Sequence, residues 1–395
     1  MNKAIRTILP VLMIIVWLLP VSNQLNTINE SMIRNCFIFN SLILFLAFVY
    51  ERKINYKQME IAILIIAVLT ISTILFVSTN KTSKISVSYG YLLQYIPYCL
   101  LINIRPEKLR KSKVLDSLFI ASCTVVIIVG ILTVLHNTTI ESVLKTYYIN
   151  HYAHVYISMF NSYKTVTFFA THSIACYIYF IMWWLLDYRA KVKKGSLNYI
   201  LMAGVIFNII MCLSVSAVLC VGLIALYYYI SWAKRTTRKN LLRSGIMIGV
   251  GIFFIILNIN RIQAILSSDA NGLLGRFGSS GNLNETLKWA ITHIIPLGIC
   301  DVENFWLTDG GYFTHFLRGG ILLVGLMYYG LIRFIKINVH DKNRATMLTV
   351  SIFAFEVGYQ FIVCMRFFMI MLFAIIYFQS LECEANPILL KVKRT

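Results

Sequence analysis

Long apolar runs separated by short polar and basic segments dominate the chain, at 8–21, 35–50, 60–77, 86–104, 115–135, 166–186, 198–213, 216–232, 245–259, 313–332, 346–362 and 365–380. A helix needs about 20 apolar residues to cross a bilayer, so each run is a candidate span. The stretch 198–232 is divided because about 35 apolar residues are too many for one crossing, and Leu213-Ser214-Val215-Ser216 supplies the turn. The pattern predicts an all-α, polytopic integral membrane protein of about 12 transmembrane helices, forming a single membrane domain over 1–395. Arg366 interrupts the last two runs. A charge in hydrocarbon is costly, so it is expected at an interface or in a wet cavity.

Lys and Arg set the expected orientation. With Lys3 and Arg6 on the cytoplasmic side, 26 of the 36 basic residues fall in inner segments. These include Arg52, Lys53 and Lys57; Arg105 to Lys113; Arg189 to Lys194; Lys234 to Arg243; Arg333 to Arg344; and Lys391 to Arg394. Both termini are then cytoplasmic. The first run could pass for a signal peptide, but no small-residue cleavage site follows it, so it is expected to remain as an anchor.

Two outer loops are longer than the rest, 136–165 and 260–312. Long loops rich in apolar and aromatic residues are usually functional. In the first, His151 and His154 share a helical spacing, but a metal needs three or more ligands and no third is placed, so no metal is expected. Its tyrosines fit an interfacial aromatic belt.

Composition agrees with the periodicity: 58% of residues are hydrophobic and 13% charged. That excludes a soluble enzyme, a disordered tail and a disulfide-rich module. The formal charge of +20 is mostly a topology signal. The basic residues are divided among seven inner segments and form no single groove, so no nucleic acid is expected as a partner. Nine cysteines lie almost entirely inside runs with no CxxC pair, as apolar packing residues would. The sequence contains no Walker loop, no Rossmann glycine signature and no HExxH.

The 260–312 loop concentrates the chemistry. Its stretch 283–295 places Leu283, Leu287, Ala290, Ile291 and Ile294 at helical spacing, with Glu285, Lys288 and Thr292 toward the other side and Trp289 and His293 at the edge. Pro296 stops the helix. Such a helix either lies on the membrane surface, holding polar groups over a lipid-borne substrate, or only covers the bundle. From Gly298 to Gly320, carboxylates, an imidazole, guanidinium groups and aromatics converge where a span begins. That mixture suits sugar transfer from a phosphate-linked donor: Arg grips diphosphate bidentately, and a carboxylate or His takes a proton from a hydroxyl.

These residues also resemble a known family. Gly275-Arg276, Trp289, Ile295-Pro296-Leu297-Gly298 and Asp309-Gly310-Gly311-Tyr312 leading to Gly319-Gly320-Ile321 are similar to the Gly-Arg, Trp, "hPhhG" (h, apolar) and "(H/D)NxY…Gh" run of the O-antigen polymerase and ligase superfamily, which includes the Wzy-type polymerases of surface polysaccharides. Phe169-Ala170-Thr171-His172-Ser173 resembles its "F-x-H-P-N", and Leu213-Ser214-Val215-Ser216-Ala217 its "h-T/S-x-S-R". The likeness covers roughly the C-terminal 60% of the chain, with the earlier runs matching only in topology. Three departures stand out: no Pro-Asn follows His172, Ala217 replaces the Arg, and Asp309 stands where ligases carry a His. The last favours polymerase over ligase.

The resemblance implies an enzyme that joins undecaprenyl-diphosphate-linked oligosaccharide repeats on the outer face of the membrane, without a cofactor. The implied partners are the lipid-linked substrate, membrane lipids, and a flippase and chain-length regulator of the same pathway. The candidate catalytic residues are Arg276, Asp309, His315 and His172. The candidate substrate-binding residues are Arg261, Arg318, Trp289, Lys288 and Tyr312. Bland readings stand beside these: Arg261 and Arg318 as span-end arginines that snorkel, Asp309 as a helix cap, His315 as a wet interfacial imidazole and His172 as a polar helix start. The rival function is a flippase or other transporter of lipid-linked sugar, and a ligase of the same superfamily is a third reading.

Overall fold

A computed structural model describes residues 2–18, 30–53, 55–80, 85–146, 164–169, 172–233, 282–302, 310–357 and 360–385, with positions 249, 256, 259 and 263. Its helices in chain order are α1 (Asn2–Leu18), α2 (Glu30–Glu51), α3 (Tyr56–Thr79), α4 (Tyr89–Asn103), α5 (Leu115–Val134), α6 (Thr138–Leu144), α7 (His172–Val192), α8 (Ser196–Met211), α9 (Val215–Ala233), α10 (Asn282–Thr292), α11 (Gly311–Asn338), α12 (Lys342–Glu356) and α13 (Met365–Ala385). Every expected span has a helix over it except 245–259, which lies outside the described residues apart from positions 249, 256 and 259.

Four of these helices are long and apolar enough to cross a membrane: Tyr56–Thr79, Leu115–Val134, Gly311–Asn338 and Arg366–Ala385. Ala4–Leu18, Ile38–Glu51, Ser196–Met211 and Val215–Ser231 are apolar but shorter. Exposed Ile63, Leu64, Ile71, Ile74 and Leu75 on α3 give it an outward apolar face, as a lipid-facing helix requires.

The chain divides into two compact units. The first comprises Met1–Asn23, Thr27–Phe119 and Ser279–Thr395, the second Gln24–Asn26 and Ile120–Gly278. In the first, α3 packs on α11, α2 on α4 and α1 on α13. Polar staples tie these apolar helices together: Gln58 Nε2 donates to the Gly330 carbonyl at 3.2 Å, and the Tyr98 hydroxyl donates to the Met327 carbonyl. Glu51, at the end of α2, accepts from the backbone N–H groups of Lys108 (2.8 Å) and Leu109 (2.7 Å), fixing the 3-10 turn Leu109–Lys111. In the second unit α7 packs on α8 and α9. The expected turn between the last two is present: Leu213 adopts φ +44°, and Ser214 Oγ accepts from Ala217 N–H at 3.2 Å.

One departure from the all-α expectation is a two-stranded antiparallel pair, β1 (Ile85–Val87) with β2 (Cys300–Val302), in register Ile85↔Val302, Ser86↔Asp301 and Val87↔Cys300. Three-residue strands carry too little alternation to be read as strands from sequence. A second difference is that the run 346–362 is not one helix: α12 stops at Glu356, whose carboxylate takes up the N–H groups of Phe361 (3.0 Å) and Ile362 (3.2 Å) in the next turn. Arg366 then lies buried in the first turn of α13, at a helix start and not at mid-span.

Candidate functional site

The site grows out of a broken helix. Inside α11, Gly319 (φ −150°, ψ 18°) and Gly320 (φ +66°, ψ −166°) leave helical geometry, so the element is a half-helix, 311–318, followed by a long one. Positive φ at Gly320 suits glycine and few other residues. The break frees the carbonyls of Leu317 and Arg318, which an uninterrupted helix would pair four residues on. The segment after Pro296 takes them: Leu297 N–H donates to Leu317 O at 2.8 Å, and Gly298 N–H to Arg318 O at 2.9 Å. Irregular backbone among apolar helices persists only where such partners are supplied. The Ile295-Pro296-Leu297-Gly298 and Gly319-Gly320 motifs are thus two halves of one structure.

Gly298 has its own constraint. It sits at φ +60°, and a Cβ there would overlap the backbone and hydroxyl of Thr73 on α3. Thr73 Oγ1 in turn accepts from Ile299 N–H at 3.0 Å, just before β2.

Arg318 ends the half-helix, buried. Its Nη1 donates to the carbonyls of Gly298 (2.9 Å) and Cys300 (3.5 Å), and its Cζ lies 3.2 Å from the centre of the Tyr91 ring. Nε and Nη2 have no hydrogen-bond acceptor. The nearest recorded carboxylate oxygen, Asp301 Oδ1, is 3.9 Å from Nη2, beyond hydrogen-bond reach, and the Asp301 side chain is 43% exposed. A guanidinium with spare donors suits bidentate recognition of an anion, and an anion would reach these two nitrogens, both shielded from solvent, only after a local opening. Burial pushes the neighbouring Cys300 thiol up from its ordinary pKa, and the Arg318 charge partly opposes this.

One turn earlier on the half-helix is His315, a catalytic candidate whose bland reading is a wet interfacial imidazole, and it is fully buried. Its Nδ1 is 3.0 Å from the Tyr95 hydroxyl, and its Nε2 is 3.3 Å from Glu356 Oε1. Two residues one turn apart on α4, Tyr91 and Tyr95, therefore meet two residues one turn apart on the half-helix, Arg318 and His315. Gly311 permits the Glu356 approach, since a Cβ on it would overlap that carboxyl group. Tyr312 anchors the same half-helix by donating from its hydroxyl to the Phe353 carbonyl at 2.8 Å.

The helix expected at 283–295 forms as α10, Asn282–Thr292. Its contact face is Thr286, Trp289 and Ala290, with Trp289 set 6.2 Å from Phe76 and stacked on His293 at 4.2 Å. The ridge Leu287, Ile291 and Ile294 faces away from the protein, 43%, 70% and 91% exposed. Lys288 is also exposed.

The structure thus brings His315, Arg318 and Tyr312 onto one half-helix, with Trp289 packed against the core that also holds Leu297, Cys300 and Leu317. His172 is the first residue of α7, in the second unit. Arg261, Arg276 and Asp309 lie outside the described residues. Asp301 is one of the carboxylates of the Gly298–Gly320 run, whereas Tyr91, Tyr95 and Glu356 belong to the site but had no signal of their own in the sequence, because each joins it through long-range packing. Comparisons with protein-family models, with curated proteins and with solved structures return no match.

Proposed function

We propose that the protein is an integral-membrane polysaccharide polymerase, joining polyprenyl-diphosphate-linked oligosaccharide repeats on the outer face of a bacterial plasma membrane. The observation that carries this reading is Arg318, a buried guanidinium with two unused donors beside an exposed carboxylate. The motif run in the same segment of chain agrees with it. In this reading the growing glycan on its lipid diphosphate is the donor, and a single lipid-linked repeat is the acceptor.

The acceptor hydroxyl attacks the anomeric carbon as the bond to diphosphate breaks. The departing diphosphate takes the bonding electrons, and charge develops on it. Fixed positive charge at that place stabilises the transition state most. Arg318 fills this role, with Arg276 and Arg261 as further candidates. The hydroxyl proton passes to a carboxylate; Asp301 is accessible beside Arg318, and Asp309 is the candidate from the motif. Trp289, Lys288 and Tyr312 belong to the substrate-binding candidates around this site, and His172 remains a candidate from its motif. The exposed ridge of α10 suits an interfacial helix that keeps this segment at the lipid surface.

The test is product length. Loss of the gene, or Arg318→Gln or Arg276→Ala in the full chain, is expected to leave single lipid-linked repeats facing outward with no longer chains. Retained long-chain polymer in both variants would sink the assignment.

One observation favours a second reading. Discontinuous helices mark the binding sites of many secondary transporters, and α11 is broken at Gly319–Gly320. A flippase mutant accumulates its single repeats on the inner face, so the side on which they collect separates the two. A ligase is distinguished by acceptor, since it moves finished chains and leaves their length unchanged.

A further inference from the structure

Three His–carboxylate pairs occur among the described residues, and only His315–Glu356 is fully buried; His136–Glu141 and His340–Glu382 are partly exposed. Ionisable groups buried among membrane helices are expensive and generally have a task. The reaction outlined above does not use this pair.

Its geometry is that of a short proton chain. Glu356 Oε2 is occupied by the Phe361 and Ile362 N–H groups, so Oε1 is the oxygen left for His315 Nε2. Tyr95 O–H meets Nδ1 on the opposite side of the ring. With the tyrosine donating to Nδ1, Nε2 faces Oε1 at 3.3 Å without an aligned hydrogen bond, which leaves both atoms available to a shared proton. Among the described residues, the charged and titratable groups around the pair are Tyr91, Tyr95 and Tyr98 from α4, Tyr312, Arg318 and Tyr328 from α11, Cys364 from the turn before α13, and the buried Arg366 beside Cys364. Arg318 and Arg366 carry the fixed charges among these, and Arg318 is the one on the half-helix with His315.

Arg318 stands one turn from His315, so the two side chains share a face of the half-helix. While no anion is bound, its positive potential works against a further proton on the pair. The diphosphate of a lipid-linked sugar carries two negative charges, one per phosphate, and reverses that potential. A unit charge about 8 Å away in a medium of effective dielectric ~20 moves a proton equilibrium by roughly one to two pH units.

We propose that the His315–Glu356 pair is a proton-binding site, and that a phosphate-type anion settling on Arg318 draws a proton into it. This rests on Arg318 being the anion site of the reading above. Linkage is reciprocal, so the same anion binds more tightly as the pH falls through the range in which the pair fills. The diphosphate donor then brings its own proton into the site, and the site refills and empties once per donor bound and released.

The experiment is calorimetric titration of inorganic pyrophosphate into the purified full chain in lipid nanodiscs, repeated in buffers of different ionisation enthalpy. The expected result is binding with net proton uptake, in a fraction of a proton that varies with pH. The double variant His315→Gln/Glu356→Gln leaves no unpaired buried charge. It is expected to bind pyrophosphate with that uptake abolished, while Arg318→Gln loses binding itself. Binding by the unaltered protein with equal heats in all buffers, or unchanged uptake in the double variant, overturns this inference and leaves the anion site standing. Absence of pyrophosphate binding, or binding unaffected by Arg318→Gln, overturns the anion site and this inference with it.

Discussion

Gly298 and Arg318 are bonded to each other twice: the Gly298 N–H donates to the Arg318 carbonyl at 2.9 Å, and Arg318 Nη1 donates to the Gly298 carbonyl at 2.9 Å. The backbone of one residue thereby heals the helix break at the other. Gly298→Ala would place a methyl group against Thr73 in a backbone conformation unsuited to it. It is expected to destabilise the protein by about 1–3 kcal/mol or more, read as a lower midpoint of thermal unfolding. Alanine tolerated there without loss would contradict the described turn.

Arg318→Lys is expected to behave as a loss and not as a conservative change. Lysine keeps the charge but cannot lie flat on the Tyr91 ring while reaching two carbonyls, because it lacks the planar fork. Pyrophosphate affinity should fall about tenfold or more, with the helical content by circular dichroism retained. Equal affinity for the two proteins would argue against guanidinium recognition.

The fit between Gly311 and Glu356 gives a double-mutant test. Removing one member of a buried polar pair strands the other, so Glu356→Ala or His315→Ala alone should destabilise by about 1–3 kcal/mol. Gly311→Ala should also destabilise, since its new methyl would meet the Glu356 carboxyl. Combined with Glu356→Ala, its additional effect should shrink, as contacting residues couple. Strict additivity of the unfolding energies would show that the two are not in contact.

On α10 the two faces should respond differently. Trp289→Ala removes a half-buried ring from the Phe76, Leu297, Cys300 and Leu317 core, with an expected loss of about 1–2 kcal/mol in detergent. Ile291→Asn and Ile294→Asn alter exposed positions and should leave detergent stability nearly unchanged. If the ridge lies on lipid, a fluorophore at 291 will report an apolar surrounding in vesicles and an aqueous one when lipid is withheld. Aqueous fluorescence in both would remove the interfacial role.

Cys300 offers a chemical probe of the site. Burial raises its thiol pKa, so little thiolate exists at neutral pH, and the thiolate is the reacting form. Maleimide labelling at pH 7 should be slower than that of an exposed thiol by more than about tenfold, rising with pH. Fast labelling at neutral pH would show that β2 is open.

The sequence by itself determined the helical character, the long apolar runs that suit a membrane protein, the positions of most helices, the turn at 213–216 and the helix breakers at Pro296 and Gly319. Those are local properties: apolar run length, breaker residues and the conformational range of glycine. It also marked Arg318 and His315, because charged groups in apolar surroundings are conspicuous. Only the tertiary structure decided their partners. Glu356 is 41 residues from His315 and Tyr91 is 227 from Arg318, and nothing in either local pattern connects them. Tertiary packing also turned the α10 ridge outward, because Trp289 fills more of the core at Phe76 than Leu287 or Ile291 would. The short β1–β2 pair exists for the same reason: it forms where the half-helix and the turn after Pro296 bring two chain segments together, and not from any strand preference of its own.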